Sequence, residues 1–158
     1  MIYVAEPDES RQIRGEILAE ATTIERYLTD FISNYFAKDN EKGTELYNWI
    51  FNTELLTFRE KIELCKKIIQ NLKWTINGEC RKEQVIGSFI FINEIRNKVA
   101  HWEWCWSKTT KEDYYLQNPR KNEEILKLDK ELLEKYDQCI HELLQFFDVW
   151  EDDKTKEE

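Results

Sequence analysis

Glycine and proline are scarce in this chain, with four glycines and two prolines among 158 residues. β-Sandwiches and barrels need many tight turns, and turns are where glycine and proline concentrate. The scarcity therefore favours long helices over an all-β fold. Apolar residues make up 41% of the chain and aromatic residues 13%, which excludes a disordered protein. The length predicts one domain, placed at residues 1–150, followed by a charged tail at 151–158.

Long hydrophobic runs and metal-binding spacings are also missing. No window approaches about 20 uninterrupted apolar residues, the length that a membrane-spanning helix needs. No leader of the secretory type is visible at the N-terminus. Four cysteines without a CxxC spacing, together with two distant histidines, make a poor zinc pattern. We therefore expect a cytoplasmic protein with reduced thiols that uses no metal and no cofactor.

Positive charge is in deficit, since 23 Lys and Arg face 32 Asp and Glu and the formal net charge is −9. Broad, nonspecific nucleic-acid binding requires a basic surface, so this balance argues against it. A small basic cleft on an otherwise acidic protein is still compatible with this net charge. The acidic residues form no Asp-x-Asp or Glu-x-x-His cluster, so they do not predict a two-metal nuclease. No glycine-rich phosphate-binding loop is present either.

Apolar residues spaced three and four apart predict five helices. Their expected bounds are about 7–36, 45–52, 57–72, 82–100 and 129–150. Asp39-Asn40 and Gly43 are expected to break the first helix, whose inward stripe is Ile13, Ile17, Ala21, Ile24, Leu28, Phe31 or Ile32, and Tyr35. Thr57 followed by Glu60 has the spacing of a capping box, and Asp129 is a good N-cap for the last helix. The charged tail is expected to fray.

The fourth helix is expected to be the central and most buried one. It is apolar nearly all round in its first half, and its inner stripe is Val85, Phe89, Ile92, Ile95 and Val99. After it, bulky residues alternate in Trp102–Trp106, which predicts a strand. The segments 113–117 and 124–128 flank Asn118-Pro119 and predict a β-hairpin. The expected fold is an all-α, up-and-down helical bundle with a small β-hairpin insertion between the last two helices.

The most informative segment ends the fourth helix and reads Asn93-Glu-Ile-Arg-Asn-Lys-Val-Ala-His-Trp102. It places Arg96 and His101 five residues apart. His101 is one of only two histidines, and histidine is the side chain best suited to move protons near neutral pH. Arg96 carries a permanent charge that could stabilise a phosphate or a developing oxyanion. The two residue types together could move a proton and stabilise a nearby negative charge.

Arg96 lies four residues after Ile92 and three before Val99, so it projects from the buried stripe. An isolated buried charge is very costly, so one interpretation is a structural ion pair with a carboxylate of the first helix, such as Glu20 or Glu25. The other is a half-buried arginine at the floor of a cleft, available to a phosphate. The two are compatible, because a carboxylate can hold the arginine until a ligand binds.

On one helix, residues five apart project about 140° from each other, so Arg96 and His101 do not share a face. Asn97, four residues before His101, does share the histidine's face. The two side chains can converge if the helix ends near Ala100 and His101 turns back, or if a second copy brings its own pair alongside. Without the motif, a histidine at a helix end is usually structural. His141 is interpreted as a surface or boundary residue with no special role.

Aromatic and basic residues surround the segment. Trp102, Trp104 and Trp106 can stack bases, each base contributing about 1–3 kcal/mol, or can pack on a core or a subunit interface, which is the commoner role. Positive charges cluster nearby at Lys98, Lys108, Lys111, Arg120 and Lys121. They can guide an RNA backbone, or they can simply belong to a solvated hairpin. The candidate substrate-binding residues are Lys98, Trp102 and Lys108.

The segment 96–101 resembles the Arg-x4-6-His motif of HEPN domains, a family of small α-helical proteins that includes many metal-independent RNases. Asn97 directly after the arginine and Ala100 directly before the histidine fit the family's pattern. The resemblance implies a HEPN-type bundle and a homodimer in which two motifs form one composite cleft. It further implies that Arg96 stabilises the transition state and that His101 moves protons at the RNA 2′-OH or the leaving 5′ oxygen. Asn97 would orient the phosphate or the imidazole.

The function that the resemblance implies is metal-independent cleavage of RNA by its own 2′-OH, in a toxin or a phage-defence protein. Such proteins sometimes act beside a nucleotidyltransferase antitoxin. No metal is required, because the nucleophile belongs to the substrate and the arginine neutralises the charge. Two alternatives stay open: a non-catalytic helical interaction or scaffold module, which the acidic surface favours, and a small nucleotide-ligand binder using Arg96. The Trp-rich insertion departs from the minimal four-helix pattern of the family.

Overall fold

A computed structural model gives the structure of residues 8–37, 40–51, 55–71, 82–106, 114–121 and 123–157. These residues form a mainly helical fold with a small antiparallel sheet, as the sequence predicts. The elements, in chain order, are α1 (Asp8–Phe36), α2 (Asn40–Leu46) with a π-helical turn (Tyr47–Phe51), α3 (Phe58–Asn71), α4 (Lys82–His101), β1 (Glu103–Trp106), β2 (Tyr114–Gln117), β3 (Ile125–Leu128) and α5 (Lys130–Glu157).

Local side-chain hydrogen bonds set the starts of α3 and α5. The backbone N–H of Thr57 donates to Glu60 Oε2 at 2.7 Å, and the N–H of Glu60 donates to Thr57 Oγ1 at 3.3 Å. This reciprocal pair is the predicted capping box. Asp129 Oδ1 accepts from the N–H of Leu132 at 3.0 Å, which confirms the predicted N-cap of α5. The charged end of the chain, expected to fray, is helical as far as Glu157.

The second helix differs from its prediction, because it begins at Asn40 rather than Glu45. Gly43, interpreted as a helix breaker, lies buried inside this helix. A Cβ at position 43 would stand 3.3 Å from the Cβ of Ala37, so the missing side chain lets α2 fold closely back on the end of α1. The glycine therefore serves a close approach between two helices and not the termination of one.

Helix α4 is central, since it packs against α1, α3 and α5. All five residues of its predicted stripe are buried, as are most residues of the predicted α1 stripe. Ile13 is only partly buried. Tyr35 is 38% exposed, and its ring packs edge-on against that of exposed Phe36 at 5.1 Å. The prediction for Tyr35 is wrong because the last turn of α1 ends at the surface. The apolar spacing of the third helix also places Leu72 on its inward side, but Leu72 lies outside the described residues.

The β insertion is a three-stranded antiparallel sheet in the order β1-β2-β3. The predicted hairpin is formed by β2 and β3, with Leu116 opposite Leu126. The predicted strand at Trp102–Trp106 pairs with β2, placing Trp104 opposite Leu116, so the insertion has one more strand than a hairpin. Leu116 and Leu128 are buried on the inner face, and β3 contacts α5. The sheet thereby holds the β2–β3 turn beside the end of α4.

Among the parts of the chain that the structure describes, no helix combines the length and the apolar composition that crossing a bilayer requires.

Candidate functional site

Arg96 projects from α4 toward α1 and α3. Its Nη2 lies 4.0 Å from Glu25 Oε2, and its guanidinium carbon lies 6.0 Å from the centre of the Phe58 ring. Nη1 donates to Asn97 Oδ1 over a long 3.4 Å. The side chain is nevertheless 35% exposed. The predicted ion pair with a first-helix carboxylate is confirmed, and Glu25 is the carboxylate; the guanidinium also remains open to solvent on one side.

Glu25 holds a second cation more tightly than it holds Arg96. Its Oε1 accepts from Lys61 Nζ at 2.9 Å, and the Lys61 side chain is only 7% exposed. A buried ammonium needs a counter-ion, so Glu25 remains paired with Lys61 whenever Arg96 turns to another anion. Arg96 can therefore exchange partners without leaving a buried charge unpaired. Sequence reasoning missed Lys61, although a lysine between the inward-facing Phe58 and Cys65 was a visible signal.

Asn97 is exposed and lies next to Arg96 in space as well as in sequence. Its Nδ2 donates to Asn93 Oδ1 at 3.4 Å, and its Oδ1 accepts from Arg96. Both bonds are long and therefore weak, so the amide can be redirected at little cost. The predicted role of orienting a phosphate fits this position beside the guanidinium. Within the described part of the chain, no hydrogen bond joins Asn97 to His101.

His101 is the last residue of α4 and is exposed to solvent. The helical pattern continues through it, because the N–H of Trp102 donates to the carbonyl of Lys98 at 2.8 Å. The helix therefore does not end at Ala100, so the alternative in which His101 turns back toward Arg96 is not the arrangement in the structure. The side chains of Arg96 and His101 leave the helix about 140° apart. One copy of the chain does not bring them together; convergence across two copies stays a prediction.

Arg14 of α1 fixes the turn that presents His101. Its Nη2 donates to the carbonyl oxygen of Ala100 at 3.3 Å. The last carbonyls of a helix lack partners within the helix, and they form the negative end of its dipole. A cation placed there satisfies a carbonyl and stabilises the helix end. This contact joins residues far apart in the sequence, so no local pattern predicted it.

His101 opens onto a cleft of about 540 Å³ that is lined by His101, Trp102, Asn118, Pro119 and Arg120. The end of α4 forms one side and the β2–β3 turn forms the other. Hydrogen bonds within the turn hold that side in place. Asn118 Oδ1 accepts from the N–H of Arg120 at 3.0 Å, and Asn118 Nδ2 donates to Glu124 Oε2 at 2.8 Å.

The charged side chains around the cleft differ in whether they have a partner of opposite charge. Lys121 Nζ lies 3.0 Å from Glu124 Oε1, and the hydrogen bonds from Lys121 and Asn118 hold the pKa of Glu124 below its usual range. Glu124 therefore stays ionised and neutralises Lys121. Arg120 forms no ion pair, and the His101 side chain no hydrogen bond, with any residue that the structure describes. These two side chains are available to a ligand.

The predicted substrate-binding residues have different outcomes. Trp102 is partly buried and lines the cleft. Lys98 does not line the cleft, but its Nζ lies 5.3 Å from the centre of the Trp102 ring. Lys108 lies outside the described residues, as does Lys111. Trp104 packs partly against the core, where its Nε1 has no acceptor among the described residues, so the structural role predicted as commoner applies to it. The side chain of Trp106 is also outside the description.

Within the described ranges, no group of three or more His, Cys, Asp or Glu side chains is placed to hold a metal ion. The chain matches no family model, no curated protein and no solved structure. The resemblance to HEPN domains therefore rests on the residues of segment 96–101 and on the mainly helical architecture that carries them.

Proposed function

We propose that the protein is a metal-independent endoribonuclease of the HEPN type. The observation that carries the proposal is the pair of candidate residues at the end of one helix: His101 open to a cleft, and Arg96 partly exposed beside an exchangeable carboxylate. In the proposed reaction, the RNA 2′-OH attacks the adjacent phosphorus and the 5′ oxygen leaves. The products are a 2′,3′-cyclic phosphate and a 5′-OH end.

His101 would accept the proton from the 2′-OH or donate one to the leaving 5′ oxygen, a contribution of about 10²–10⁴ in rate. Arg96 would neutralise the charge that accumulates on the phosphate oxygens. Asn97, which already bonds to Arg96, would orient the phosphate. Lys98 would add positive charge at the end of the helix.

Two copies of the chain would be needed to complete the site, because Arg96 and His101 diverge on a single helix. We propose a homodimer in which the two motif segments meet near a two-fold axis. The exposed stripe of α4 supports this assembly, since it consists of Gly87, Ile90, Glu94, Asn97 and His101. Ile90 is 40% exposed, and a two-fold contact along the stripe would bury it twice. Asn97 and His101 of the two copies would then face each other, with the half-exposed Arg96 beside them.

The biological setting implied by the resemblance is a toxin or a phage-defence effector acting on cellular or phage RNA. A nucleotidyltransferase antitoxin is the partner that the same resemblance suggests. Unchecked RNA cleavage would arrest growth, so expression of the wild-type chain without an antitoxin should be harmful to cells. Expression of His101→Ala should be tolerated.

The direct test is cleavage of end-labelled RNA in the presence of EDTA. Wild type should leave 2′,3′-cyclic phosphate ends, and His101→Ala should lose about 10²–10⁴-fold in rate. His141→Ala is the matched control, because it removes the other histidine, which is exposed on α5, and it should retain full activity. Intact RNA after incubation with folded wild type would contradict the proposal.

A second candidate function, a helical interaction module, is favoured by a specific observation. Apolar side chains are exposed near the end of α1 and after α2, namely Tyr35, Phe36, Ile50 and Leu55. Leu55 is 70% exposed, which costs solubility unless a partner covers it. In this reading the ion pair of Arg96 with Glu25 is purely structural. An inactive, folded protein whose expression is harmless would support this function over the nuclease.

A further inference from the structure

The cleft at the end of α4 contains a cation that the motif does not include. Arg120 lies on the turn side of the cleft, opposite the helix end that carries His101 and Trp102. We propose that this cleft binds one nucleotide of a single-stranded RNA, and that Arg120 is its phosphate ligand. The identity of the ligand rests on the proposed function; the binding itself does not require catalysis.

The turn prepares Arg120 for an anion. Its backbone N–H is held by Asn118 Oδ1 at 3.0 Å, which fixes where the side chain leaves the turn. The neighbouring Lys121 is neutralised by Glu124, and Glu124 is further occupied by the amide of Asn118. Among the residues that the structure describes, no carboxylate pairs with the guanidinium of Arg120. A free guanidinium can bind a phosphate through two parallel hydrogen bonds.

The opposite side of the cleft suits the rest of a nucleotide. Trp102 is only partly buried there and offers apolar surface to a base or a ribose. His101 adds an imidazole that has no partner among the described side chains. The cleft volume of about 540 Å³ falls within the range of small-ligand sites, about 300–1,000 Å³. A cation, an aromatic surface and a hydrogen-bonding group are thus combined in one space of suitable size.

The form of the cleft selects single strands. A base reaches an aromatic side chain only when it is unstacked and unpaired, which is the normal state in RNA loops and ends. The remaining surface is acidic, with a net charge of −9 for the chain, so a long duplex gains little by lying across it. Binding should therefore depend on a few phosphates near Arg120, and its dependence on salt should be shallow.

The test uses a hexamer of 2′-O-methyl RNA, which lacks the attacking hydroxyl and cannot be cleaved by the proposed route. The two histidines serve as NMR reporters, because His101 lines the cleft and His141 is exposed on α5. Titration should shift the imidazole signals of His101 and leave those of His141 in place. The same sequence annealed to its complement should leave both histidines unchanged.

Arg120→Ala should weaken binding of the hexamer by about 10- to 100-fold, the usual effect of losing a hydrogen bond to a charged group. It should also reduce the slope of log K against log salt by about 0.7, the value for one phosphate on a single strand. Arg120→Lys should lose less, because it retains the charge without the paired geometry. Lys67→Ala is the control: it removes the same charge from the exposed side of α3 and should not alter binding.

The two proposals can fail separately. Binding of the hexamer at His101, weakened by Arg120→Ala, supports the cleft even if wild type cuts no cleavable RNA. Cleavage of RNA by a protein whose hexamer affinity is unaffected by Arg120→Ala overturns the role of Arg120 and leaves the nuclease standing. A hexamer that binds without shifting His101, or that does not bind at all, overturns the cleft proposal.

Discussion

The two ends of the segment 96–101 differ in how far the rest of the protein uses them. Arg96 is tied to Glu25 and Phe58, so it takes part in the packing of α4 against α1 and α3. His101 is exposed, and its side chain has no hydrogen bond with the described residues. Arg96 therefore contributes to the packing of the fold, whereas His101, on the same helix, does not. Loss of function on mutation of His101 would therefore report on the proposed chemistry, whereas loss on mutation of Arg96 would report on that chemistry and on folding together.

Removal of Glu25 should have the largest effect on stability, because Glu25 connects Arg96 to the packing of the helices. Glu25→Ala leaves the buried ammonium of Lys61 unpaired and deprives Arg96 of its carboxylate. Loss of one partner from a buried pair is strongly destabilising, so we expect a loss on the order of 3 kcal/mol in the free energy of unfolding. Urea titration followed by circular dichroism measures it. The control is Glu63→Ala, an exposed change on α3, which should alter the free energy of unfolding by no more than about 0.5 kcal/mol. A loss as small as that for Glu25→Ala would refute the role of Glu25 as the counter-ion of Lys61.

Arg96→Ala should show the structural share of Arg96 directly. Its ion pair is long and its side chain is 35% exposed, so solvent screening limits the loss to about 1 kcal/mol. His101→Ala should leave the free energy of unfolding unchanged within about 0.5 kcal/mol. Differential scanning calorimetry of the two variants makes the comparison. If His101→Ala is the more destabilising of the two, His101 has structural partners and the contrast fails.

Arg14→Ala should loosen the last turn of α4, which carries His101, and leave the helix around Arg96 unchanged. It removes the donor to the carbonyl of Ala100, which contributes about 1 kcal/mol and orders the last turn of α4. Amide hydrogen exchange should accelerate at residues 99–102 and stay unchanged around Arg96. Arg11→Ala serves as the matched control on the same helix, because Arg11 is 59% exposed and pairs with exposed Asp8. Uniform acceleration along α4 would argue against a local role for Arg14.

The smallest expected effect on stability concerns Glu20, the other first-helix carboxylate that the sequence suggested as a partner of Arg96. Burial, with Asp137 and Glu16 nearby, raises the pKa of Glu20. A carboxyl group with a raised folded pKa stabilises the protein below its unfolded pKa, and that contribution is lost as the pH rises through the folded pKa. Glu20→Gln should therefore gain a little stability at pH 7, under about 0.5 kcal/mol given solvent screening. The gain should vanish below pH about 4.3, the ordinary pKa of a glutamate in an unfolded chain, and a loss at pH 7 would contradict this account.

Features set by local interactions were predictable from the sequence. The bounds of α1, the capping box at Thr57, the N-cap at Asp129 and the β2–β3 hairpin all follow from neighbouring residues, and all are confirmed. Features set by packing were not predictable. The place of Gly43 depends on how closely α2 approaches α1, and the pairing of β1 with β2 depends on residues joined by a long connection.

The candidate site divides in the same way. The motif residues could be identified in the sequence from their residue types and their spacing. Glu25 was one of the two carboxylates that the sequence suggested as a partner of Arg96. The role of Lys61 and the contact of Arg14 with Ala100 require α1 to lie against α3 and α4, which no local pattern states. The cleft beside His101 exists only because the sheet brings the β2–β3 turn to the end of α4. Arg120 was therefore visible as a charge but not as a part of the site.

The central claim, that Arg96 of one copy works with His101 of another, is tested most directly by mixing two inactive variants. Arg96→Ala and His101→Ala are refolded together at equal amounts, and formation of mixed dimers is verified by native mass spectrometry. Random pairing makes half of the dimers mixed, and in each mixed dimer one of the two Arg96–His101 pairs of the shared cleft is intact. RNA cleavage should therefore return to about a quarter of the wild-type rate. A mixture that contains mixed dimers yet remains as inactive as its parents would contradict the shared site.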